Sequence, residues 1–213
     1  MERKQFLKRL GFGLVLPLMS ACSSDNDPDA SHNGVTTSDD DDSSGTCVTT
    51  PSETEGPFPT RSPSTLEMVD IRSDRTGVPL SIRITIQNKN RNCAALVGAM
   101  VDIWHCDKDG NYSEYGGTSM QSSNYTSVHF LRGRQDTDGN GLAGFTSIFP
   151  GWYSSRAPHI HVHIYDATGK SLLVTQIAFP TDVCDTVYTT ATNYYTRGKQ
   201  DTSMPAIMFL RIR

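Results

Sequence analysis

Apolar and polar residues alternate in several short runs of this chain. Leu80, Ile82, Ile84 and Ile86 are each followed by a polar residue, and Val101, Ile103 and His105 alternate with Asp102 and Trp104. Period two is the signature of a strand with one face in a core. Similar strands are predicted over Leu142 to Phe149, His159 to Tyr165, Leu172 to Ala178 and Ala206 to Ile212. Turn formers fall between them: Asp109-Gly110-Asn111, Asp138-Gly139-Asn140-Gly141 and Thr168-Gly169-Lys170. No long run has helical period. Asp185 to Arg197, rich in Thr and Tyr, reads as a long loop with one short helix. The expected fold is all-β, a sandwich of mainly antiparallel strands with long loops.

The pattern vanishes before residue 47. Residues 1–21 have a basic start (Arg3, Lys4, Lys8, Arg9) and an apolar run, Leu10 to Met19, too short to span a bilayer. Leu18-Met19-Ser20-Ala21-Cys22 resembles a bacterial lipobox, which implies a cleaved signal and a lipid on Cys22. Arg3-Lys4-Gln5-Phe6-Leu7-Lys8 also resembles a twin-arginine export motif with Lys for the second Arg. Residues 22–46 are polar and acidic, and such a segment cannot bury enough surface to fold. We read it as a tether. The expectation is an exported protein, lipid-anchored to the bacterial cell envelope, with one domain over 47–213. Of 19 basic and 23 acidic side chains, residues 1–21 hold four bases and Glu2, and the tether holds seven acids. The remaining 15 of each leave the domain near neutral, with no basic stripe for nucleic acid.

Four cysteines fall in the domain: Cys47, Cys93, Cys106 and Cys184. In an exported protein they suggest two disulfides. Cys93 and Cys106 bracket a predicted strand and stand too far apart to bond. That leaves 47–106 with 93–184, the pairing we expect, or 47–93 with 106–184. No Cys-x-x-Cys pair points to zinc.

The chemistry concentrates in Arg156-Ala157-Pro158-His159-Ile160-His161, just after Pro150-Gly151-Trp152-Tyr153. In a strand, His159 and His161 point the same way, roughly 7 Å apart, and can share a metal ion. Tyr153 is near in sequence, and Tyr112 closes the run from Trp104. Two phenolates with two imidazoles favour Fe(III), because charged oxygen donors stabilise the higher oxidation state. A lone strand histidine is usually packed or exposed; His163 shares the face and has no assigned part. A cupin-type site needs a Glu after its His-x-His, and Val162 to Lys170 contain none. Asp136 to Gly141 begins like an EF-hand loop, but Ser147 stands where the bidentate acid belongs.

In their order and spacing, Glu55-Gly56-Pro57-Phe58, Trp104 to Tyr112, Thr137-Asp138 to Phe145, Pro150 to Tyr153, Arg156 to His161 and Thr175-Gln176 resemble the intradiol ring-cleavage dioxygenases. The likeness runs from about Thr50 to about Phe179, and looks closest to a compact exported branch without N-terminal helical dimerisation domains. It implies a non-haem Fe(III) held by Tyr112, Tyr153, His159 and His161, with Tyr115 a nearby competitor for Tyr112. It implies that Arg156 and Gln176 stabilise charge on the substrate ring and that Tyr153 accepts a proton. Gly56, Pro57, Phe58 and Trp152 would line the substrate pocket. The implied reaction takes a small aromatic diol and O2, cleaves between the hydroxyl-bearing carbons and gives a muconate-type diacid. Competing readings are a surface-binding module of the same fold, and zinc or copper at the histidine pair.

Overall fold

A computed structural model describes residues 47–153 and 156–199. The expected signal, Cys22, the tether and the strand over Ala206 to Ile212 lie outside the described residues. Strands β1 (Pro79–Thr85), β2 (Gln87–Asn88), β3 (Ala94–Ala95), β4 (Met100–Trp104), β5 (Arg132–Asp136), β6 (Leu142–Ile148), β7 (His159–Tyr165) and β8 (Ser171–Ala178) precede helix α1 (Thr181–Thr190). β1 pairs with β6, β2 with β3, and a four-stranded sheet runs β5-β4-β7-β8. Every pairing between these strands is antiparallel. The fold is all-β, as the alternation predicts.

The alternating residues build the core. Ile82 and Ile84 of β1 and Ala143 and Phe145 of β6 meet Val101, Ile103, Ile160, Val162 and Ile177 of the larger sheet in one buried cluster. β5 has no apolar alternation, since it reads Arg132-Gly-Arg-Gln-Asp136. Gly133 belongs there because an added Cβ would lie 2.4 Å from Ile71 Cγ2. The other face of the four-stranded sheet is polar and yet buried. His159, His161 and His163 all lie there under cover. Two loops supply that cover. The segment before β1 bonds along β8, with Glu53 N–H donating to Val174 O (2.9 Å) and Gln176 Nε2 to Thr54 O (2.8 Å). Residues 105–131 form the second.

Two expectations need correction. The helix occupies Thr181–Thr190 and so begins before the loop in which a short helix was expected. Its Thr-rich sequence hides it, because β-branched residues disfavour helix in isolation. Cys184 and Tyr188 anchor it to Phe149 and Tyr195. The disulfide joins Cys47 to Cys93, with Cα atoms 5.7 Å apart. Cys106 and Cys184 are buried free thiols, so neither 47–106 with 93–184 nor a second bond forms among the described residues. Left-handed backbone at Asn92 and Cys93 turns the β2–β3 connection toward Cys47. The Cys106 thiol, packed with Phe58, Trp104 and Tyr112, donates to Gly151 O (3.4 Å) instead. Burial pushes both free thiols up, Cys184 to about 12, which keeps them protonated and inert.

His105 makes the domain acid-sensitive. Its Nδ1 donates to Cys106 O (2.8 Å), and its Nε2 accepts from the Ser147 hydroxyl (2.7 Å), so the fold wants the neutral ring. Burial, helped by His159 and Arg132, pushes its pKa down to about 4. An unfolded histidine titrates near 6.5, so the unfolded chain binds the proton first as pH falls. The stability this group contributes is present above about 6.5 and is lost toward pH 4, on the order of 3 kcal/mol. Urea midpoints of the metal-free protein should therefore drop between pH 7 and 4.5. His105→Gln should flatten that slope; an unchanged slope would contradict the assignment.

Candidate metal centre

β7 places His159 and His161 on the polar face of the sheet. Register puts Trp104 of β4 and Gln176 of β8 opposite His161, and Arg132 of β5 opposite Trp104. Directly opposed residues share a face, so Arg132, Trp104, His161 and Gln176 form one row across four strands. The two imidazoles lean together until their Nε2 atoms are 3.0 Å apart. Nitrogen donors sit about 2.1 Å from a bound divalent ion, so two donors at right angles stand about 3.0 Å apart.

His159 Nδ1 donates to Ala157 O (2.6 Å), which fixes the tautomer and leaves Nε2 with its lone pair. His161 is held by packing. Its ring stacks on Trp104 (4.9 Å, 1° between planes), and a Cβ added at Gly56 would lie 2.9 Å from its Cε1. Its Nδ1 is buried without a partner. Burial pushes the His159 pKa down to about 4 and His161 to about 2, where the neighbouring His159 and Arg156 add to the effect. Both rings are neutral at ordinary pH, the form that binds metal.

Two phenols complete a closed circuit. Ring centroids lie 4.6 Å apart for His159 and His161, 6.1 Å for His161 and Tyr112, 5.8 Å for Tyr112 and Tyr153, and 5.9 Å for Tyr153 and His159. Tyr112 is fully buried, stacks on Phe58 at 4.7 Å, and its hydroxyl has no partner in hydrogen-bond geometry. The nearby Tyr153 phenol still acts on it electrostatically. Burial raises the pKa of both phenols, and Arg156 opposes that rise at Tyr153. An orphaned buried hydroxyl beside two neutral imidazoles fits a cation that would draw the proton off the phenol. No group of three or more His, Cys, Asp or Glu among the described residues could hold a metal. The phenol oxygens are the further donors beside the two imidazoles, and that donor set suits Fe(III).

Arg156 and Gln176 are brought to the same place. Arg156 Nη2 donates to Gln176 Oε1 (2.5 Å), while Arg156 Nε is buried and unpaired. The Gln176 amide nitrogen donates to Thr54 O, so this side chain holds Arg156 rather than facing a ligand on its own. Gly56 and Phe58 lie against the circuit, and Pro57 between them is exposed. Trp152 sits elsewhere than expected. It packs with Phe149 and α1, its indole N–H donates to Gly198 O (2.9 Å), and Arg197 covers its ring. The Tyr115 hydroxyl donates to Pro59 O (2.7 Å) and its ring touches Phe58, so Tyr115 supports the wall and does not join the histidines. His163 is tied to Glu55, Tyr165 and Ser171.

Two residues carry no sequence signal. Arg132, fully buried, donates to Phe58 O (2.9 Å), the Ser113 hydroxyl (2.9 Å) and Ser113 O (2.6 Å). Gln121 is buried in the loop beyond Tyr112. Both bond across loop connections that no periodicity announces.

A family model described as Dioxygenase matches residues 54–205. The chain belongs to the intradiol ring-cleavage dioxygenases. This family is non-haem iron dependent. The chain is 31% identical to a chlorocatechol 1,2-dioxygenase of Rhodococcus opacus over 145 residues, 59% of this chain and 52% of the relative. It thus spans about half the length of that curated relative. A solved intradiol ring-cleavage dioxygenase from Tetranychus urticae is 30% identical, with a TM-score of 0.62 over 71% of this chain and 73% of its own. A second solved dioxygenase is 29% identical, with a TM-score of 0.62 over 73% and 77%.

Proposed function

We propose that this intradiol dioxygenase uses Fe(III) and O2 to cleave a catechol-type ring between its hydroxyl-bearing carbons, giving a muconate-type diacid. The closed circuit of Tyr112, Tyr153, His159 and His161, with the two Nε2 atoms facing at 3.0 Å, carries the reading. These four residues would hold the iron. The chemistry an Fe(III) there would supply is that of a Lewis acid able to accept electron density from a bound diol and so make its ring reactive toward O2.

The chain's own groups do the rest. Tyr153 is less buried than Tyr112, so its phenolate oxygen is the one positioned to take a proton from the incoming diol. Arg156 places a fixed positive charge beside the ring, where negative charge develops as it loses aromaticity. Gln176 orients that guanidinium, and the stacked Phe58 and Trp104 exclude water around the buried phenol and imidazole. The test is catechol turnover under 18O2. Both labelled atoms should enter one ring-opened diacid; a product cleaved beside the diol, or no product from an iron-loaded protein, contradicts the proposal.

Gln176→Leu would leave Arg156 and Thr54 O unpaired. It should lower kcat by about 10- to 100-fold, the usual scale for outer-shell partners. Steady-state rates with iron content measured in parallel check this. Full kcat at full iron would show that Arg156 needs no support.

We infer also that the protein is exported and lipid-anchored through Cys22. The basic start, the short apolar run and Leu18 to Cys22 support this, as does a Cys47–Cys93 disulfide suited to an oxidising compartment. Radiolabelled palmitate should enter the parent and not Cys22→Ser; equal labelling would contradict it.

A further inference from the structure

Tyr112 lies in a stretch without strand or helix, residues 105–131. Its ring is set by packing against Phe58 on one side and Tyr153 on the other. Packing alone does not fix a main chain, whose N–H and C=O need partners when buried. In a strand a neighbouring backbone would supply both. Here one side chain does. The Gln121 Oε1 accepts from Tyr112 N–H (2.6 Å), and Gln121 Nε2 donates to Tyr112 O (2.8 Å).

We infer that Gln121 is a positioning residue for Tyr112, its amide standing in for a paired strand and thereby fixing where the phenol oxygen meets the metal. A primary amide matches a peptide group in having one acceptor and donors on the same plane. The same nitrogen also lies 3.0 Å from Tyr115 O and 3.3 Å from Ser123 O, which ties Tyr112 to both limbs of the loop. Gly116 lets those limbs close. A Cβ there would lie 2.2 Å from Ser123 O and 2.4 Å from Asn124 Cα. Gln121 is itself buried, so water cannot replace its bonds cheaply. Glutamate would keep the acceptor and lose the donors. Methionine would keep the bulk and lose both.

This inference rests on the iron reading above, because it assigns Gln121 through Tyr112. A merely structural Gln121 would staple the loop without affecting the ligand. The experiment therefore compares Gln121→Met and Gln121→Glu with Asn124→Ala. The last removes the two loop hydrogen bonds that the Thr126 N–H and hydroxyl donate to Asn124 Oδ1, and leaves Tyr112 untouched. Each chain is titrated with Fe(III), and affinity and the phenolate-to-iron absorption band are read alongside urea stability.

The Gln121 variants should bind iron about 10- to 100-fold more weakly, with a moved or weakened band. Asn124→Ala should keep parental affinity and band whatever it does to stability. A folded Gln121→Met or Gln121→Glu with parental affinity and band overturns the inference, even if it is destabilised. A parent that stays colourless with Fe(III) defeats the iron reading instead. Hydrogen exchange at the Tyr112 amide then decides for Gln121. Unchanged protection overturns the claim that Gln121 holds the Tyr112 main chain, and lost protection leaves Gln121 a loop staple with no metal ligand to position, which overturns the inference as stated.

Discussion

Tyr112→Phe should give a protein more stable than its parent and unable to hold iron. The substitution removes one oxygen and leaves the ring stacked on Phe58. That oxygen is buried and unpaired in hydrogen-bond geometry. A buried hydroxyl without a partner costs on the order of 1–3 kcal/mol, so its loss should raise metal-free stability by about 1 kcal/mol or more. The same atom is the proposed phenolate donor farthest from solvent. Without it the site keeps two imidazoles and one phenol, loses a negative charge and no longer favours the ferric state. Urea unfolding of the metal-free protein and Fe(III) titration of the same preparation check both halves. A variant that is destabilised, or one that keeps iron and an unchanged visible band, would show that Tyr112 is only a core aromatic.

Gly56→Ala should disable the site from the other side. Gly56 has φ +68, where a β-carbon costs about 1–2 kcal/mol. That carbon would also lie 2.9 Å from His161 Cε1. The imidazole cannot retreat, because Trp104 is stacked parallel to it. Nor can the backbone easily lift away, since Glu53 N–H and Thr54 O are bonded to β8. The strain has to move His161, and with it one member of the 3.0 Å nitrogen pair. Iron affinity should fall by about 10- to 100-fold or more, with a lowered thermal midpoint. Calorimetric titration with Fe(III) measures it. Parental affinity would mean that the strap over His161 yields, and that Gly56 merely permits a turn.

The residues that alternate were readable as strands because one face of each packs into a single core. β1, β4, β6, β7 and β8 all follow that rule. β5 breaks it, since Arg132 and Arg134 face the buried polar side and Gly133 leaves room for Ile71. The same buried polar face explains what could be seen of the site. His159 and His161 announce themselves by their spacing, because a strand converts i, i+2 into a shared face. Tyr112, Tyr153 and Arg156 lie on loops, where spacing has no such translation, and only resemblance picked them out. Trp152 escapes a spacing argument for the same reason. Adjacent to Tyr153 in sequence, it turns into the cluster around Phe149 and α1. The cysteine pairing depended on a left-handed turn at Asn92 and Cys93 that composition does not signal. Gln121 acts through main-chain atoms of its own irregular loop and Arg132 through those of Phe58 and Ser113, so neither could be found without the fold.

The central claim is that Tyr112, Tyr153, His159 and His161 hold one Fe(III) that a catechol can reach. The most direct measurement is a visible spectrum with an iron assay on the purified protein, before and after adding catechol in the absence of O2. The account predicts a red-brown protein with a single iron per chain, whose absorption band shifts when catechol is added. A protein that stays colourless after loading with Fe(III), or one whose band ignores catechol, would contradict it.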